Sequence, residues 1–132
     1  MLNIFPIQFL APFAYMLLRI VLGLVLIYLG TSHIRNRHSL TDIFSFSFFP
    51  YGLFMAWYLG SVEILIGTML FVGLFTQIAA LLGMALSLKF IVMHKHFSHP
   101  LIPSRLCFLF MFMISFTLLI TGAGPLAFDL PI

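Results

Sequence analysis

Three ionisable side chains stand inside apolar runs: Arg19 in YMLLRIVLG, Glu63 in GSVEILIG and Lys89 in LSLKFIV. A charge at mid-membrane depth costs roughly 2.5–3.5 kcal/mol on insertion scales, so each needs a counter-charge, a polar cavity or a route to water. A guanidinium and a carboxylate that shield each other can pin a helix register, hold the polar head of a hydrophobic molecule, or pass a proton. The chemistry open to this chain therefore depends on whether these groups meet.

Other reactive types are sparse. MHKHFSHP places His94, His96 and His99 at the end of one apolar run, with His33 and His38 expected on the same side. Residues 94 and 96 project to opposite sides of a helix, and no Cys or carboxylate adjoins them to complete a ligand set, so no metal site is expected. A haem held between two helices would need histidines within the apolar runs, and there are none. Cys107 is the single cysteine; it excludes an internal dithiol couple and reads as a small core residue. Asp129, in TGAGPLAFD, reads either as a solvated carboxylate or as a cap on Arg19 if the tail folds back. No catalytic residue can be assigned, and no flavin, haem or iron–sulfur motif is present.

The elements that must position these groups follow from composition. Of 132 residues 63% are hydrophobic and 7% charged, against about 25% charged in a soluble domain whose surface must be solvated. The expected class is all-α and integral to the membrane. Residues 1–132 are read as one antiparallel four-helix bundle with spans at about 12–32, 54–75, 77–93 and 106–121. Pro12 suits a first helical turn, and Thr121-Gly122-Ala123-Gly124-Pro125 stops the last span. Spans two and three are joined through Leu74-Phe75-Thr76-Gln77 and must form a tight hairpin. The first connection is read as a loop. Its Phe44, Phe46, Phe48, Phe49 and Tyr51 suit an interfacial belt.

The N-terminal stretch lacks a basic region and a small-residue cleavage site, and reads as an uncleaved lead-in to span one. Arg35, Arg37, Lys95 and Arg105 fall in the connections after spans one and three. Basic connections stay cytoplasmic, which places both termini outside an inner (plasma) membrane. The net charge of +3, without a basic stripe interleaved with aromatics, excludes nucleic acid as a partner.

At 1.5 Å per residue Arg19 lies about 10 Å below the outer start of span one, and Glu63 about 16 Å below the same face of a 30 Å core. A long arginine side chain closes that gap, so an Arg19–Glu63 pair is expected. Arg19, Gly23, Ile27 and Gly30 share one stripe, and Gly60, Glu63 and Gly67 another. The small residues Gly23, Gly60 and Gly67 are then candidates to line a pocket beside the pair. Lys89 lies about 9 Å from its own end of the third span, within snorkelling reach of the headgroups.

In order along the chain, RIVLG, GSVEILIG, GLFTQIAAL, a histidine closing span three and TGAGPLAFD resemble the DoxX family of small membrane proteins. The resemblance implies a four-helix membrane bundle and a link to redox physiology through a subunit of thiosulfate:quinone oxidoreductase. Arg19, Glu63 and Asp129 carry over. The basic and hydroxyl positions of the family's tail do not, because Pro125-Leu126-Ala127-Phe128 stand there, and Pro103-Ser104-Arg105 replace a glutamate near span four.

The expected function is a membrane subunit or accessory of an oxidoreductase system, whose Arg19–Glu63 pocket binds a quinone or a lipid. Electrons would come from a soluble redox partner. A structural or assembly module with a purely structural pair is the first alternative. A small transporter is the second; it would need a homo-oligomer, because four spans are few for a carrier.

Overall fold

Five helices make up the described part of the chain: α1 (Ala11–Arg35), α2 (Arg37–Phe44), α3 (Gly52–Val72), α4 (Thr76–Val92) and α5 (Arg105–Thr121). The structure is a computed structural model that describes residues 10–44, 52–95, 100–122 and 124. The protein is all-α. α1 and α3, at 25 and 21 residues, are long and apolar enough to cross a membrane; α4 and α5 are equally apolar but run to 17 residues each. The stretch expected as a loop after the first apolar segment holds α2. Phe46, Phe48, Phe49 and Tyr51 of the aromatic belt lie outside the described residues.

Each long helix buries one narrow stripe. Along α1 this comprises Arg19, Leu22, Gly23, Leu26, Leu29, Gly30 and His33. α3 buries Ala56, Leu59, Glu63, Ile66 and Leu70, with Gly60 and Gly67 beside them. Thr76, Ala80, Gly83, Ser87 and Phe90 do the same on α4, and Phe108, Met111, Ser115 and Leu118 on α5. Steps of three and four alternate in all four, the spacing of helices packed at a shallow angle.

The opposite faces are apolar too. Leu17, Leu24 and Tyr28 of α1 stand out from the bundle, as do Ile78 and Val92 of α4 and Phe110, Met113 and Ile120 of α5. The exposed hydroxyls among them are satisfied locally. Ser61 Oγ donates to the Trp57 carbonyl at 2.9 Å, Thr68 Oγ1 to that of Leu65 at 2.8 Å and Thr117 Oγ1 to that of Met113 at 2.9 Å. For each of these hydroxyls the helix that carries it is the nearest acceptor.

Between α3 and α4 the chain reverses in three residues. Gly73 (φ 78°) and Leu74 both donate their N–H to the Met69 carbonyl at 2.9 Å, and Phe75 is left-handed (φ 49°). Two left-handed residues separated only by Leu74 turn the chain sharply, and at Gly73 there is no Cβ to oppose it. Gly73→Ala is expected to cost about 1–2 kcal/mol, the penalty for an L side chain in that region. A denaturation curve in detergent, followed by helical circular dichroism, would check it.

Candidate functional site

The contact between α1 and α3 is made by glycines. A Cβ placed on Gly23 would lie 2.8 Å from the Gly67 carbonyl oxygen, and one on Gly67 would lie 2.7 Å from that of Gly23. Gly30 and Gly60 repeat the arrangement at 2.5 and 2.8 Å. The two helices run antiparallel and touch backbone to backbone at two levels. The expectation that Gly23, Gly60 and Gly67 would line a pocket is therefore corrected. The space their missing side chains leave is filled by the neighbouring helix.

This register also decides which charges meet. Gly23 opposite Gly67 and Gly30 opposite Gly60 set Arg19 level with Phe71, and Glu63 level with Ile27. Arg19 is then eight residues, about 12 Å, from the level of Glu63. Direction widens the gap. Helical Cα–Cβ bonds tilt toward the N-terminus, so Arg19 leans toward one end of the bundle and Glu63, on the antiparallel helix, toward the other.

His33 is offset from Glu63 by about 9 Å on the other side, and there the tilts converge. His33 Nδ1 and Glu63 Oε2 are 2.7 Å apart. The expected Arg19–Glu63 pair gives way to a His33–Glu63 pair.

His33 is 0% and Glu63 1% exposed. With Glu63 ionised, Nδ1–H donates to Oε2 and the ring's lone pair sits on Nε2. The Phe90 ring of α4 stands 6.2 Å from the imidazole, centroid to centroid, and is stacked at 4.7 Å on Phe108 of α5. Residues from α1, α3, α4 and α5 thus converge on one polar contact in an apolar interior. Arg19 is also buried, at 2% exposure, one helix end away.

His33 is the residue the sequence reading placed outside the bundle. Ending the first span at Ser32 left it at the interface, whereas α1 continues to Arg35. A signal for it was present, because residues 19, 23, 26, 30 and 33 continue one stripe at steps of three and four.

Asp129 lies outside the described residues. Gly124 sits over the start of α1, where a Cβ would be 3.0 Å from the Pro12 carbonyl oxygen. Lys89 is half-buried and faces a groove between α3 and α4. Cys107 is half-buried against the core. His96 and His99 are outside the described residues. Among those described, no three His, Cys, Asp or Glu side chains are grouped to hold a metal ion.

The DoxX family model matches residues 14–96, from the first turn of α1 to just beyond α4, and the match includes both His33 and Glu63. No curated protein and no solved structure matches the chain.

Proposed function

Because the chain belongs to the DoxX family, we propose that it is a multi-pass protein of the plasma membrane that binds the polar head of a quinone or lipid at His33–Glu63. α4 and α5 cross with α1 and α3 in this reading. At 17 residues each they reach the lower limit for a span, and the charges they carry, Lys89 and Arg105, lie toward the basic end of the bundle. Arg35, Arg37, Lys95 and Arg105 gather at one end of the antiparallel helices, which becomes the cytoplasmic end.

The observation that carries the binding reading is the buried imidazole–carboxylate contact. A carboxylate on Nδ1 holds the imidazole in one tautomer and orientation, with Nε2 as the atom suited to a quinol hydroxyl or a lipid headgroup donor. Phe90 beside it supplies an aromatic face for a ring. Electrons would be delivered by a soluble partner, with this chain as the membrane subunit. Solvent extraction of the purified protein is expected to yield about one quinone or defined lipid per chain. A variant with His33→Leu and Glu63→Leu together should yield none. Wild-type protein that releases neither compound would remove the reading.

A second reading is favoured by the closure of the site. A pair this buried, between helices locked by four glycines, also suits a register pin with no ligand. In that case the double variant keeps full activity in cells as long as it folds.

A further inference from the structure

Lys89 is a cation that neither the glycine contact nor the His33–Glu63 pair employs. Among the described residues it makes no ion pair. It lies in the last turn of α4, half-buried, at one end of a groove of about 250 Å³ between α3 and α4. Tyr58 faces it from the first turns of α3, and Val62, Ile66, Leu82 and Leu86 continue the walls. From Tyr58 to Ile66 the groove follows the helix axis for about 12 Å. Both polar side chains are at its mouth, on the end of the bundle that carries Arg35, Arg37, Lys95 and Arg105.

Snorkelling alone would need only a flexible stem and water. Here the side chain shares the lining of one groove with the Tyr58 phenol and the apolar side chains of two helices. An ammonium in that position lacks a counter-charge from the described protein and faces the headgroup layer, where the available anions are phosphates.

We infer that this groove is a site for one anionic phospholipid of the basic-side leaflet, its phosphate on Lys89 and Tyr58 and one acyl chain along Val62, Ile66, Leu82 and Leu86. The inference rests on the membrane reading above but is independent of any ligand at His33–Glu63. The lipid acts as a fourth wall for the α3–α4 hairpin, which meets the remaining helices on its other side.

Native mass spectrometry of the full chain released from mixed phosphatidylglycerol–phosphatidylcholine nanodiscs tests it. Wild type and Lys89→Arg should retain phosphatidylglycerol in preference to phosphatidylcholine, and Lys89→Gln should lower that preference about fivefold, as expected for one lost cation–phosphate contact. Ala85→Phe, which fills the groove and leaves the charge in place, should reduce bound lipid of both kinds. Arg35→Gln, on the same face but outside the groove, should change neither. An unchanged preference in Lys89→Gln, or an equal fall in Arg35→Gln, overturns the site in favour of general surface potential. Loss of extracted quinone or lipid only on substitution of His33 or Glu63 concerns the other site, so the two failures are separable.

Discussion

Glu63→Leu is expected to destabilise the folded chain by about 2–3 kcal/mol, and adding His33→Leu should recover most of that loss. The single change removes the carboxylate that accepts from Nδ1 of a buried imidazole, in the interior where Phe90 and Phe108 stack. The second change removes the polar group as well and leaves two apolar side chains at the seam. Size and sign both carry information. Neutral hydrogen bonds between membrane helices average about 0.6 kcal/mol, so a loss of about 2–3 kcal/mol identifies a hydrogen bond to an ionised carboxylate. Unfolding of wild type, both single variants and the double variant in mixed micelles gives the coupling energy directly. Strictly additive losses would mean that the 2.7 Å contact contributes nothing.

The second large effect belongs to the glycine seam. Gly30→Ala is expected to cost about 1–3 kcal/mol, and Gly30→Leu to abolish the folded bundle. The added Cβ would stand 2.5 Å from the Gly60 carbonyl oxygen, and a backbone oxygen can retreat only if the whole helix does. Gly83→Ala provides the contrast. Its Cβ would meet Ser115 Oγ at 3.2 Å, a hydroxyl that can rotate away, so a loss below about 1 kcal/mol is expected there. Melting curves in one detergent compare the three. Equal losses at Gly30 and Gly83 would show that helix propensity, and not the wall each methyl meets, sets the cost.

The sequence made the long helices legible because an apolar run is a property of composition, readable one window at a time. The hairpin was legible for a similar reason: three residues between two such runs leave only one connection. The partners of Glu63 were not. Depth measured from each helix end put Arg19 within reach, because a side chain's lean and a neighbour's register do not enter that arithmetic. Both are fixed here by Gly23 against Gly67 and Gly30 against Gly60. His33 was lost to a boundary set three residues early. Polar Thr31, Ser32 and His33 look like an exit from the membrane, but α1 continues through them. α2 was missed because RHSLTDIF has no long apolar run, and a helix of eight residues does not form without tertiary support.

The glycine seam joins helices that are not consecutive in the chain: Gly30 is made thirty positions before the Gly60 it fits against. At a synthesis rate of about 5–20 residues per second, α1 waits a few seconds for its mate. Over that interval His33 lacks the carboxylate that later accepts its hydrogen bond. A nascent chain stalled there, with α1 complete and α3 still unwritten, presents a bare glycine furrow to whatever assists insertion. Quality control acting on this protein would find its opening in that pause, before the first helix has been claimed.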